Sequence, residues 1–108
     1  MKRDALIKSV LAGVPLVVAE YRGREAEDRN WKDRESGAMT SGTFCHDNIE
    51  IGRKPVKVGV RLPDGVRAGG PETKDAFPLG SAVVLRLSSL DATMGNLKAT
   101  GLLEVLTD

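Results

Sequence analysis

The sequence predicts an all-β domain, a five-stranded OB-fold-like Greek-key barrel with a short N-terminal helix. Three observations lead to this fold class. Five segments have the composition of strands, a dense run of charge separates the first two, and a loop rich in Gly and Pro separates the third from the fourth. Five short strands at this spacing suit a partly open Greek-key barrel. An SH3-like barrel or a small sandwich fits the same pattern.

The chain has 108 residues, close to the usual size of one domain, so we treat residues 1–108 as a single domain. Sixteen Lys and Arg residues against fifteen Asp and Glu residues give a formal net charge of +1. This balance lacks the basic excess of many nucleic-acid-binding domains. The one cysteine excludes an internal disulfide. Because no long apolar run is present near the N-terminus, we expect no signal peptide, no membrane contact and a cytoplasmic location.

Residues 1–13 are predicted to form the N-terminal helix. Its apolar residues form one stripe, made of Leu6, Ile7, Val10 and Leu11. Because a helix of about ten residues is marginal on its own, we expect this stripe to dock on the main body.

The first predicted strand covers residues 16–24, and strict alternation places Arg22 and Arg24 together on its outward face. Residues 24–43 carry most of the charge and include a turn signal at 35–37. This segment therefore predicts a charged β-ribbon that folds back on itself.

The other four predicted strands cover residues 39–51, 55–62, 81–89 and 97–106. Residues 90–96 form a short loop between the last two. Residues 63–80 have no apolar period and form a long loop, of a kind that is usually functional or disordered.

No catalytic or metal-binding motif stands out. Cys45 and His46 are neighbours on a strand, so their side chains point to opposite faces and do not suit a nucleophilic pair. Cys45 fits better as a small buried apolar residue. His46 and Asp47 lack spaced partners for a metal ion. We therefore expect no enzymatic activity, no cofactor and no metal.

The candidate ligand site is a set of basic residues around one tryptophan. On the outer faces of the early strands, each Lys or Arg would gain affinity for phosphates through counterion release, and an indole accepts any base as a stacking partner. The predicted nucleic-acid-binding residues are Arg22, Arg24, Arg29, Trp31, Lys32, Arg34, His46, Lys57, Arg61 and Arg86. A solvated charged ribbon with Trp31 folded onto the barrel fits equally well, because five acidic residues neutralise the same segment.

Residues 55–65 (PVKVGVRLPDG) combine a Pro-Val start, an alternating strand and an acidic-Gly turn. Residues 78–90 (PLGSAVVLRLSSL) combine a Pro-x-Gly turn, a strand and a Leu-Ser-Ser-hydrophobic segment. In these features the chain resembles the single-stranded DNA-binding proteins of filamentous bacteriophages, over roughly residues 34–108. The resemblance implies an OB fold and a symmetric homodimer that coats single-stranded DNA cooperatively. It also places a DNA-binding wing at 24–43 and a contact across the dimer axis at 90–96.

The family usually carries aromatic side chains in its wing, its second and third strands and its axis-side loop. Near those positions this chain has Ala38, Thr40, His46, Lys54 and Leu90. Binding would therefore depend mainly on charge and be sensitive to salt.

We predict a non-enzymatic, dimeric protein that binds single-stranded DNA, or RNA, without sequence preference, as in phage replication. The alternative is a protein–protein interaction or assembly module on the same barrel. The near-neutral charge, the few aromatic residues and an outward apolar pair, Val84 and Leu102, suit that alternative. Basic residues that converge on one groove would favour nucleic acid, and acidic neighbours that interrupt that face would favour the module.

Overall fold

The computed structural model of the chain describes residues 1–87, 89–93 and 96–108 and is mostly β, with a short N-terminal helix. Helix α1 spans Arg3–Leu11, and a 3-10 turn spans Pro71–Thr73. The strands are β1 (Leu16–Lys32), β2 (Met39–Ile51), β3 (Lys54–Val60), β4 (Ala82–Arg86), β5 (Ser89–Thr93), β6 (Asn96–Thr100) and β7 (Leu103–Val105). With nine and three residues, the two helical segments are too short to cross a membrane.

The strands form one sheet in the order β5-β6-β3-β2-β1-β4-β7. Five neighbours, from β3 through β2, β1 and β4 to β7, are antiparallel. Strand β6 joins them parallel to β3, and β5 pairs antiparallel with β6. Within the described residues β5 and β7 do not pair with each other, so the sheet is not closed.

Seven strands replace the five predicted because the last one is split in two and a further strand, β5, forms mostly in the predicted loop. Residues 81–89 contain β4, and residues 97–106 contain β6 and β7, separated at Gly101, whose φ of +137° does not belong to a strand. The predicted loop at 90–96 is wrong in its first part, because β5 pairs there with β6. Residues 94 and 95 of that loop lie outside the described residues.

The core lies on one face of the sheet and draws side chains from β1, β2, β3, β4 and β6. Tyr21, Val83 and Leu85 are fully buried, and Ile49 and Val58 nearly so. Burial of such side chains is the main favourable term in folding. One continuous apolar cluster therefore holds five strands together.

Strands β1 and β2 continue past the core as a long two-stranded ribbon. Their pairing runs from Glu20↔Glu50 to Lys32↔Met39, whereas the last pair of β2 with β3 is Cys45↔Val60. We call residues 24–43 of this ribbon the wing. It contributes to an elongated shape of 51 × 27 × 23 Å.

A β-bulge at the base of the wing reverses the faces of β1. The register shifts between Tyr21 and Gly23, so that Arg22 is an extra residue, and Gly23 has a φ of +113° that favours glycine. Beyond the bulge Arg24 lies opposite the buried Asp47. The prediction that Arg22 and Arg24 share a face is therefore wrong, because it assumed strict alternation through this point.

Arg24, Asp47 and Tyr21 form a buried polar network at the bulge. The Arg24 guanidinium donates from Nε and Nη2 to the two Asp47 carboxylate oxygens, at 2.9 and 3.0 Å. The Tyr21 hydroxyl donates to Asp47 Oδ1 at 2.7 Å and accepts from the backbone N–H of Ala76 at 3.1 Å. Burial raises the pKa of Tyr21 to about 12. Each polar group of the network thus has a partner, as burial requires.

The predicted long loop, residues 63–80, is a brace between the core and the wing. The Asp75 carboxylate accepts from the backbone N–H of Arg24 at 2.8 Å, and Asp28 of the wing accepts from the backbone N–H of Ala68 at 3.0 Å. The Phe77 ring meets Tyr21 edge-on, with centroids 5.3 Å apart. The loop therefore has a structural role that its composition did not indicate.

Two predictions about apolar surface are wrong. No residue of α1 is buried, and the contacts that hold its N-terminal end are backbone hydrogen bonds to the C-terminal residues, such as Arg3 N–H to the Thr107 carbonyl at 2.9 Å. Val84 points away from the core but is only 3 % exposed, since β1 and β7 flank it and Met1 lies beside it. Leu102, by contrast, is 89 % exposed.

Arg24→Met leaves the buried Asp47 carboxylate without its cation, and we expect it to lower the free energy of unfolding by about 3–5 kcal/mol. Arg22→Met is the matched control. Its guanidinium is half-exposed and pairs with Glu20 and Glu50, so its loss costs about 1 kcal/mol or less. Urea denaturation followed by circular dichroism measures both. Equal losses in the two variants would contradict the structural role of the network.

The raised pKa of Tyr21 makes the fold sensitive to alkali. An unfolded tyrosine ionises near pH 10, so the stability gained by keeping this phenol neutral is complete below pH 10 and is lost as the pH rises towards 12. We expect the urea midpoint of the wild type to fall across this interval. Tyr21→Phe should be less stable at pH 8, because Asp47 and Ala76 lose a partner, but its midpoint should fall less between pH 10 and 12. Parallel alkaline profiles would contradict the assignment.

Candidate nucleic-acid interface

The face of the sheet opposite the core, here called the outer face, continues onto one side of the wing. Cross-strand pairs on that side of the wing are Glu25↔His46, Glu27↔Phe44, Arg29↔Gly42 and Trp31↔Thr40. Directly paired residues in an antiparallel sheet point to the same side. Beyond the bulge, the odd residues of β1 and the even residues of β2 therefore form one surface.

Three side chains on this surface form what we call the aromatic patch: Arg29, Trp31 and Phe44. The Trp31 and Phe44 rings lie 5.6 Å apart with their planes tilted by 59°, and the Arg29 guanidinium carbon lies 4.9 Å from the centre of the Phe44 ring. Trp31 is 41 % exposed and Phe44 48 % exposed. A cation and two half-exposed rings thus share one surface of a projecting ribbon.

Gly42 lets the Trp31 indole lie close against β2. A Cβ atom at position 42 would lie 2.9 Å from Trp31 Cη2, which is shorter than a normal contact between carbon atoms. The indole therefore packs over the backbone of Gly42 and still leaves Trp31 exposed to solvent.

Both arginines that β1 places on the outer face form ion pairs with carboxylates. Glu27 accepts from Arg29 Nε at 3.0 Å and lies 2.9 Å from Arg29 Nη2, a two-point pair. Arg22 lies 3.4 Å from Glu20 and 3.3 Å from Glu50. In the free protein these guanidinium groups are neutralised by their own neighbours.

Lys57 and Arg61 bring positive charge to the aromatic patch from the side of β3. Lys57 pairs with Asn48 of β2, and the last β2–β3 pair, Cys45↔Val60, places Arg61 alongside position 44. Arg61 also lines a groove of about 400 Å³ with Gly42 and Thr43. Among the side chains that the structure describes, which exclude those of residues 88–98 and 100, neither Lys57 nor Arg61 has a carboxylate within 4.0 Å.

His46 and Cys45 lie on opposite faces. The Cys45 thiol is buried, which raises its pKa, whereas His46 faces outward with Nε2 3.3 Å from Glu25 Oε2. Nothing brings the two side chains together for chemistry. In the part of the chain that the structure describes, no three His, Cys, Asp or Glu side chains are arranged to hold a metal ion.

Four of the predicted binding residues lie away from the aromatic patch. Arg24 is committed to Asp47, Lys32 lies on the opposite side of the wing from Trp31, and Arg34 lies in the turn at its tip. Arg86 pairs with Leu16 at the start of β1. Since Glu27, the partner of Phe44, is eleven residues further along that strand and Trp31 fifteen, the patch lies roughly 35–50 Å of strand away from Arg86, at about 3.3 Å per residue.

Phe44 is the functional candidate that the sequence prediction missed. The turn at 35–37 pairs Trp31 with Thr40, and counting outward from it pairs Arg29 with position 42 and Glu27 with position 44. Two-residue periodicity then puts Phe44 on the same surface as Trp31. The sequence does contain the signal for Phe44, which is the register counted outward from the turn at 35–37.

The outer face shows neither a continuous basic groove, expected for nucleic-acid binding, nor a fully interrupted one, expected for an interaction module. Acidic neighbours interrupt the outer face at Arg22 and at Arg29, as the interaction module would require. At the aromatic patch the register places two permanent cations, Arg29 and Arg61, and two carboxylates, Glu25 and Glu27. Lys57 adds a third cation further along the outer face, opposite Asn48.

Comparisons of the chain with protein-family models, curated proteins and solved structures find no match.

Gly42→Ala should displace the Trp31 indole from its position over β2, because the added methyl group would occupy the same space. We expect a changed near-ultraviolet circular dichroism signal from the Trp31–Phe44 pair and a change in free energy of unfolding below about 1 kcal/mol. Gly59→Ala is the control, because a Cβ atom there has nothing within 4 Å. An unchanged aromatic signal in Gly42→Ala would contradict the close packing of the indole.

Proposed function

We propose that this protein binds single-stranded nucleic acid, with DNA as the first candidate, through the aromatic patch and the neighbouring cations of β3. The single observation that carries the proposal is the half-exposed Trp31–Phe44 pair with Arg29 against it on a projecting ribbon. Rings of this kind stack on bases of any sequence, and stacking contributes about 1–3 kcal/mol per base. The expected binding is therefore non-specific in sequence.

Charge supports the same ligand. Arg29, Lys57 and Arg61 are spaced along one surface beside the rings, where phosphates of a stacked strand would pass. A strand that contacts three cations should bind with a slope of log K against log salt of about −2, since each phosphate contact on a single strand contributes about −0.7.

We also propose that the sheet is a partly open Greek-key barrel of the OB type. Only residues 87 and 88 separate β4 from β5, so the chain itself links the two halves of the strand order. The parallel pairing of β6 with β3 and the core cluster shared by β1, β2, β3, β4 and β6 support a curved sheet around one interior. OB barrels bind oligonucleotides on the outer face of their early strands.

The resemblance to phage single-stranded DNA-binding proteins adds a homodimer and cooperative binding to the proposal, and the lack of a long apolar run near the N-terminus adds a cytoplasmic location. Sedimentation of the free protein and of its complex with oligo-dT tests the first two properties. The contact across the dimer axis was placed at 90–96, of which residues 94 and 95 are not described.

A protein–protein interaction module remains the second candidate, and one observation favours it. Ile7, Val10 and Leu11 of α1 are about half-exposed or more, and Leu102 is 89 % exposed. These apolar side chains lie at the other end of β1 from the aromatic patch. A protein partner recovered after nuclease treatment, together with no affinity for oligo-dT, would favour this function.

Oligo-dT binding can be read from the chain's single tryptophan. We expect its fluorescence to be quenched on titration at low salt, because a base stacks on the Trp31 indole. Trp31→Ala, measured by anisotropy of labelled oligo-dT, should weaken binding at least about fivefold.

Met39→Ala is the matched control for Trp31→Ala. Met39 is an exposed apolar residue of the wing, but it lies on the opposite side from Trp31. Its affinity should equal that of the wild type. Absence of oligo-dT binding at micromolar protein, or an equal loss of affinity in both variants, would contradict the proposed interface.

A further inference from the structure

Glu27 occupies the position on Arg29 that a phosphate would take. One carboxylate oxygen, Glu27 Oε2, lies 3.0 Å from Arg29 Nε and 2.9 Å from Nη2, so it occupies the edge of the guanidinium where a phosphate oxygen would also bind. The Arg29 guanidinium also rests on Phe44. Arg29 is thus oriented for a stacked nucleotide but is already neutralised.

We propose that Glu27 is an internal competitor that a phosphodiester must displace from Arg29, and that it thereby lowers the affinity of the interface for nucleic acid. The proposal rests on the proposed function. On binding, a phosphate oxygen replaces Glu27 Oε2 on Arg29, and the carboxylate turns to solvent. Both residues are more than half-exposed, so this exchange needs no change in the fold.

This competition lowers affinities without changing their ratio, and the difference between ligands comes from stacking. Glu27 lowers the affinity of every anion that needs Arg29 by the same factor. A simple anion gains nothing else at the patch, whereas a nucleotide also stacks on Trp31 or Phe44. Glu27 therefore sets a threshold that a phosphate attached to a base passes more readily than a phosphate alone.

Glu25 provides a matched control on the same surface. It lies next to Glu27 on this side of β1 and carries the same charge, but it faces His46 and has no arginine partner within 4.0 Å among the described residues. Glu25→Gln therefore reports the general effect of removing one negative charge from the interface. The excess of Glu27→Gln over Glu25→Gln reports the release of Arg29.

The test is a double-mutant cycle with labelled oligo-dT. Glu27→Gln should bind about two- to fivefold more tightly than Glu25→Gln, as expected from the strength of an exposed ion pair. In the Arg29→Gln background, Glu27→Gln and Glu25→Gln should have equal effects. Urea midpoints close to that of the wild type would verify that the variants remain folded.

Each outcome separates this inference from the function on which it rests. If the wild type binds oligo-dT and the two glutamate variants behave alike, or if the excess persists without Arg29, Glu27 is not a competitor and the proposed function stands. If the wild type and Glu27→Gln both fail to bind, both proposals fall. Binding by Glu27→Gln alone would support the competitor and show that the wild-type threshold is high.

Discussion

The buried ion pair between Arg24 and Asp47 is the contact on which the rest of this structure depends. It sits where the ribbon leaves the core, and it exists because a bulge at Arg22 turns Arg24 inward. The same carboxylate accepts a hydrogen bond from the Tyr21 hydroxyl. Tyr21 in turn packs edge-on against Phe77 and accepts a hydrogen bond from the backbone N–H of Ala76. The core, the ribbon and the brace thus meet at one point. Because a buried carboxylate without a cation is costly, few residues other than Arg24 could pair with Asp47 there.

The bulge has a second effect, on the composition of the outer face. Without it, Trp31 and Arg29 would lie on the same side as Tyr21, which is buried in the core. With it, they lie on the side of Phe44 and His46, adjoining the exposed surface of β3. A one-residue insertion in a strand thereby both anchors the wing internally and exposes its aromatic side chains.

The sequence was informative where periodicity and turn chemistry determine the structure. The first helix, the long ribbon and the alternation of β3 follow from apolar spacing and from the turn after Lys32. The sequence prediction put Arg24 on the wrong face because a bulge interrupts the alternation of β1. The only sign of this bulge in the sequence is one glycine, Gly23. The brace over residues 63–80 was also missed, because its contacts join positions such as Asp75 and Arg24, which are far apart in the chain. Ion pairs on the outer face likewise depend on side-chain reach, which residue types alone do not give.

The brace also divides the wing into two mechanical parts. Among the described residues, its outermost hydrogen bond to the wing is the one between Ala68 and Asp28, a carboxylate that the Thr43 hydroxyl across the ribbon also bonds. Beyond Asp28, β1 runs four more residues, roughly 13 Å at about 3.3 Å per residue. Phe44 therefore lies on the part of the wing that the brace holds, and Trp31 lies on the part beyond it. Under the proposed function, the spacing of the two stacking rings is therefore set in part by a stretch of ribbon to which the brace makes no hydrogen bond among the described residues.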